Sequence, residues 1–184
     1  MTRRRKHRKA IHRKGRRKGL APLLLGVIVR KDKVVVVLRT KKRKGKGGVK
    51  LDWGFPGGKK WNAFGILPET ERECGAEIGK KVRARHIIGS RHHPQFPRRM
   101  VYYVFCQLIS DAPLEKLKFK PGRNIIDVRL VTPREFVTLC KVDIFPPVAG
   151  FLGLTTEEIA KIRAEVIHVD NKAGVKSPAM VSAK

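Results

Sequence analysis

The stretch Gly54–Gly79, GFPGGKKWNAFGILPETERECGAEIG, most constrains this chain. A glycine-rich turn leads into a short helix that carries Glu69, Glu71, Glu73 and Glu77. The whole chain has only 15 acidic residues against 43 basic ones, so four carboxylates on one helix call for a cation. That cation is either neighbouring Lys and Arg, with Lys80, Lys81 and Arg83 the nearest in sequence, or a divalent metal. The helix is expected from about Pro68, a favoured first-turn residue, to Gly79, a natural stop. At 100° per residue, Glu69, Glu73 and Glu77 share one face, while Cys74 and Ile78 form an apolar flank suited to packing on a sheet. Like charges at i,i+4 destabilise a helix by a few tenths of a kcal/mol per pair. A use in binding a cation would offset that cost.

The rest of the chain fits around this stretch. The net charge of +28 is uneven: residues 1–50 hold 21 Lys and Arg and a single acid, Asp32. Residues 1–21 read as a basic disordered tail, and Arg3, Arg4, Arg5, Lys6, Arg16, Arg17 and Lys18 are its candidate nucleic-acid contacts. Such runs bind polyanions through counterion release without reading sequence. The alternative is a merely solubilising arm. Leu20–Val29 sits behind this basic run as a signal-peptide core would, but Arg30-Lys31-Asp32-Lys33 is no cleavage site. No apolar run approaches the roughly 20 residues of a membrane span. Cys74, Cys106 and Cys140 are far apart and have no C-x-x-C spacing, so they read as small buried residues in a reducing, cytoplasmic setting.

Leu23–Arg30 and Lys33–Arg39 are β-branched runs around Lys31-Asp32, a hairpin whose apolar character suggests strands covered on both faces. Residues 40–50 read as a basic glycine-rich loop, Asp52–Pro56 as a short strand and Gly57-Gly58 as a turn. Further strands are expected near Val82–Ser90, Met100–Ile109 and Asn124–Val131, with Arg91–Arg99 as a loop. Thr132–Glu135 and Thr155–Glu158 are capping boxes that open helices to about Cys140 and Ile167. Residues 169–184 read as a flexible tail, leaving one domain over 22–168. The class is α+β or mixed α/β.

In this order and spacing the chain resembles the Nudix hydrolase family, the MutT-like domains, whose box is G-x5-E-x7-R-E-U-x-E-E-x-G-U with U aliphatic. With Gly58 first, Arg72, Glu73, Cys74, Glu77 and Gly79 fall in register. Gly-Phe-Pro-Gly-Gly resembles the usual lead-in. Asp127–Glu135 and Asp143–Val148 are similar to the family's closing segments, so the resemblance covers about 22–153. It implies an α/β/α sandwich around a mixed sheet. It also implies Mg²⁺- or Mn²⁺-dependent cleavage of a diphosphate linked to another moiety, often a nucleoside. By position it implies Glu77 as principal metal ligand and Glu73 as second ligand or general base. It further implies Arg72 as the residue that orients carboxylates and the Gly58 carbonyl as a ligand.

The box is degenerate. Phe64 and Ala76 stand where two glutamates are expected, Lys80 replaces the final aliphatic, and Asn124 stands where a further carboxylate often does. Glu69 is a candidate replacement oxygen. Two glutamates should hold an ion more weakly and work at a reduced rate. The substrate candidates are Arg39, Trp53, Phe55, His93, Arg99 and Tyr103, with His92, Arg98, Tyr102 and Trp61 nearby. The partner is then a nucleotide or other diphosphate, with no membrane and with a homodimer allowed but not required. The competing reading is an impaired Nudix-fold binding module, held on RNA, DNA or a ribosome by its basic arm.

Overall fold

The computed structural model describes residues 20–44, 50–59 and 65–172. The chain runs β1 (Leu23–Arg30), β2 (Lys33–Lys44), β3 (Lys50–Gly54), β4 (Gly57–Lys59), α1 (Ile66–Ile78), β5 (Val82–His93), β6 (Phe96–Leu108), a 3₁₀ turn (Leu114–Lys116), β7 (Ile125–Val131), α2 (Pro133–Leu139), α3 (Pro146–Phe151) and α4 (Thr156–Lys172). One sheet holds all seven strands in the order β3-β2-β1-β6-β5, with β4 also on β1 and β7 also on β2. β1 and β6 are parallel, from Leu23↔Val101 to Val29↔Gln107, and the other pairings are antiparallel. The sheet is therefore mixed, as expected.

The hairpin turns at Lys31, whose φ of 55° is left-handed. β1 and β2 then diverge: beyond Val29↔Val34 and Arg30↔Lys33, β2 pairs with β7 and β1 with β4 and β6. Val34, Val35, Val36 and Val37 are all fully buried, so β2 is covered on both faces. The pleat sends them to two cores. Val35 and Val37 join Cys74, Ile78, Val104 and Cys106 under α1. Val34 and Val36 join Phe55, Tyr103, Phe136 and Val148 under α2 and α3. These are the two helical faces of an α/β/α sandwich.

Several local expectations shift. Gly57-Gly58 is not a turn: these residues form β4, registered as Leu24↔Gly58 and Leu25↔Gly57. Of the expected loop at 40–50, the residues to Lys44 belong to β2 and Lys50 begins β3, with 45–49 outside the described residues. Most of Arg91–Arg99 is strand, reduced to a turn at Pro94-Gln95. β5 is an edge strand, where polar side chains and a neighbouring proline are tolerated. α1 begins at Ile66, which places Pro68 still within the first turn, where a missing N–H leaves no bond unmade. α3 was not expected, although Pro146-Pro147 at its first two positions is a legible start signal. Both capping boxes form: Thr132 with Glu135, and Thr155 with Glu158. α4 runs on to Lys172, past the expected end near Ile167.

Candidate active site

α1 is anchored by its apolar flank and its C-terminal glycine. Cys74 and Ile78 are fully buried against the sheet. Gly79 closes the helix in the left-handed conformation, φ 65°, donating its N–H to the Gly75 carbonyl at 2.9 Å. A Cβ there would lie 2.5 Å from the Lys120 carbonyl oxygen, so glycine is required twice over. With the flank fixed, the carboxylate face points at β4 and at the end of β2.

Glu77 reaches across to both strands. Its carboxylate accepts the Gly57 N–H at 2.7 Å and is gripped by the Arg39 guanidinium at 3.0 and 3.2 Å. The same Arg39 Nη2 also donates to the carbonyls of Phe55, at 3.2 Å, and Gly57, at 3.1 Å. Burial pushes the Glu77 carboxyl above the ordinary glutamate range; Arg39 and the Gly57 N–H pull it back, and the charge of Glu73 adds to the rise.

One turn back, Glu73 pairs with Arg72. A Cβ at Gly58 would lie 2.2 Å from Glu73 Oε2, so the bare β4 backbone makes the room for this carboxylate. Arg72 also binds Glu69 with two bonds, at 2.8 and 3.1 Å, and its proton is held more firmly by Glu69 first and Glu73 next. Glu69 is 1% exposed. The acidic ladder is thus threaded by two arginines, one from β2 and one of its own. Lys80, Lys81 and Arg83, the neighbours in sequence, make none of its ion pairs among the described residues.

Glu73 and Glu77 open onto a cleft of about 820 Å³. The structure brings Arg39, Trp53, Phe55, Gly58, His93 and Tyr103 to this cleft, all sequence candidates. Arg99 does not line it; its guanidinium lies over the Phe96 ring at 5.4 Å on the β5–β6 hairpin. Glu69 and Arg72 do not line this cleft. Trp61, Phe64 and the tail candidates Arg3, Arg4, Arg5, Lys6, Arg16, Arg17 and Lys18 fall outside the described residues.

Sequence reasoning missed Arg91 and Phe145. Tyr103 and Phe145 stack at 5.2 Å, and Arg91 lies over both rings, at 5.7 and 5.3 Å, while donating to the Tyr103 hydroxyl at 3.2 Å. Burial raises the Tyr103 phenol and Arg91 opposes the rise. Arg91 sat in a presumed loop, and Phe145 lies some 40 residues from its partner, so no local pattern joined them. Lys59, Arg123 and Lys141 add positive charge to the rim. Trp53 carries Arg129 on its ring at 4.7 Å, and Arg129 is held by Asp127 at 2.8 Å.

Among the described residues, no three His, Cys, Asp or Glu side chains form a group that could hold a metal. The oxygens that do converge are mixed in kind: both carboxylate oxygens of Glu77 and the carbonyls of Phe55 and Gly57 all lie within 3.2 Å of Arg39 Nη2. Hard divalent ions take carboxylate and carbonyl oxygens and complete their shell with water and phosphate. In chemistry the donor set therefore suits such an ion, and the guanidinium is the cation now at its focus.

No protein-family model matches the sequence, and no curated protein matches it. Solved structures do. A Nudix hydrolase from Nitrosomonas europaea superposes with a TM-score of 0.60 at 17% identity, over 74% of this chain and 72% of that one. The MutT protein of Methanosarcina mazei Go1 gives 0.50 at 15% identity, over 79% and 94%. The chain has the Nudix fold.

Proposed function

We propose that this protein hydrolyses the diphosphate linkage of a nucleoside diphosphate derivative with the help of Mg²⁺ or Mn²⁺. The observation that carries this reading is the convergence of four oxygens, from Glu77, Phe55 and Gly57, on one cationic point in the wall of a basic, aromatic cleft. The fold supports the same reading without fixing it, since one fold hosts many activities.

In this reading Glu77 and the backbone carbonyls beside it hold the ion, with Glu73 as second carboxylate. The ion would neutralise the diphosphate and polarise phosphorus. Arg39, Lys59 and Lys141 draw the phosphates in by charge. Trp53 and Phe145, both half-buried on the cleft wall, are the aromatic surfaces nearest to hand for the attached group. Glu73 is the candidate base for the proton of the attacking water, and Arg72 positions it by holding its carboxylate against Glu69. Ala76 contributes no carboxylate, so turnover should be slow.

A second reading is kept alive by the two arginines. Glu77 and Glu73 already have cationic partners, a state in which the cleft could bind a diphosphate without cutting it. The basic residues 1–19 would then hold the module on nucleic acid. Incubating the protein with Mg²⁺ and a panel of nucleoside triphosphates, sugar nucleotides, ADP-ribose, dinucleoside polyphosphates and capped RNA separates the two. Turnover abolished by Glu77→Gln is expected. Absence of turnover on every substrate, with tight salt-sensitive RNA binding, selects the binding module.

A further inference from the structure

Arg39 Nη2 occupies the focus of four oxygens, at 3.0 to 3.2 Å from each. A divalent ion sharing those oxygens would sit about 2.0–2.6 Å from them. The two cations therefore compete for one place, and their mutual repulsion forbids both. Arg39 is not a surface partner that drifts off: its side chain is only 26% exposed and that of Glu77 18%. Among the described residues, every hydrogen bond of the Arg39 side chain runs from Nη2, and Nε and Nη1 are positioned to take an anion. The same arginine lines the cleft, with Lys59 and Lys141 also on its wall. A diphosphate in the cleft would offer the guanidinium a bidentate alternative to Glu77, the geometry for which arginine is best suited.

We propose that Arg39 is a tethered cation that holds the metal seat of the resting protein and leaves it for an incoming diphosphate, so that diphosphate and divalent ion bind with positive coupling. The inference rests on the metal-dependent reading above. The resting site rejects the ion, and the substrate, by attracting Arg39, uncovers Glu77 for it. Coupling of this kind is reciprocal: whatever factor the diphosphate adds to ion affinity, the ion adds to diphosphate affinity.

The test is binding of Mn²⁺, read by water-proton relaxation, with and without methylenediphosphonate and corrected for the Mn²⁺ that the diphosphonate itself takes up. In the wild type the diphosphonate is expected to tighten Mn²⁺ binding by about tenfold or more, a typical allosteric coupling. Arg39→Gln should bind Mn²⁺ alone about tenfold more tightly than the wild type, and the diphosphonate should then add less than about twofold. Equal Mn²⁺ affinity in both proteins, without coupling in the wild type, overturns the role of Arg39 and leaves metal-dependent hydrolysis standing. Absence of Mn²⁺ binding in both proteins, with or without diphosphonate, overturns the hydrolase reading and this inference together. Should Arg39→Gln fail to fold, the wild-type pair of titrations alone decides, since lack of tightening by diphosphonate refutes the proposal.

Discussion

Gly57→Ala should be among the most damaging single changes near the site. Gly57 has φ +139°, a conformation that L side chains rarely adopt, and forcing a residue to hold it costs about 1–3 kcal/mol. The added Cβ would lie 2.1 Å from the Leu24 carbonyl oxygen and 3.0 Å from Leu25 Cα. Leu24 is fully buried on the central strand β1, so β1 cannot yield and β4 must withdraw. That withdrawal pulls the Gly57 N–H off Glu77, now at 2.7 Å, and a hydrogen bond to a charged group contributes about 1.5–3 kcal/mol. Together the loss is roughly 2.5–6 kcal/mol. For a domain of this size that is a fall in Tm of about 10 °C. Urea unfolding of wild type and variant measures it. Gly150→Ala is the control, since no neighbour lies within 4 Å of its Cβ and it sits in helix α3. A loss below about 1 kcal/mol for Gly57→Ala, less than even the smallest strain cost, would refute the claim that β4 is pinned between β1 and Glu77.

Four further outcomes are expected. A double-mutant cycle of Arg39→Met and Glu77→Gln in metal-free buffer should give a coupling of about 1.5–3 kcal/mol, above the ~0–1 of surface pairs, because both side chains are mostly buried. A coupling within error of zero would count against the grip seen in the structure. Thr132→Ala should cost about 1 kcal/mol by urea melts, since Thr132 caps α2 and that helix carries the buried Phe136 and Val137. Glu135 is held below the ordinary glutamate range by the Thr132 N–H and then its hydroxyl, so its stabilisation is present above the ordinary value and lost as pH falls through the depressed one. The gap between wild type and Glu135→Gln should therefore close in acid, and a gap that persists at pH 2 would contradict the box. Deleting residues 1–19 should weaken RNA binding and flatten its salt dependence while leaving turnover of small nucleotides nearly unchanged; collapse of that turnover in a folded truncation would place the tail at the site.

Much of the fold was legible because local chemistry and tertiary role agree. The valine run of β2 reads as doubly covered and is, with one core on each face. Glu73 and Glu77 were placed on one face by helical spacing, and Cys74 and Ile78 by the same spacing on the adjacent flank. What could not be read was the answer to each charge. The partner of Glu77 is Arg39, 38 residues away on a strand that reaches it only because β1 and β2 part after their hairpin. The nearby lysines in sequence were the natural guess and take no part among the described ion pairs. Gly57 and Gly58 read as a turn because glycine pairs are turn signals. Here they are strand, and their missing side chains serve close approach instead, to Leu24 at one residue and Glu73 at the next. Strand pairing of so short a segment is decided by β1, which no local window contains.

In the proposed reaction the α1 carboxylates and the cleft beside them cut a diphosphate with water. The most direct measurement is ³¹P NMR of the reaction in ¹⁸O-enriched water with Mg²⁺ and the substrate panel, comparing wild type with Glu77→Gln. Phosphate products in which one fragment carries a single ¹⁸O-shifted resonance are expected from the wild type and not from the variant. No product above buffer on any substrate, or labelled product formed equally well by Glu77→Gln, would contradict it.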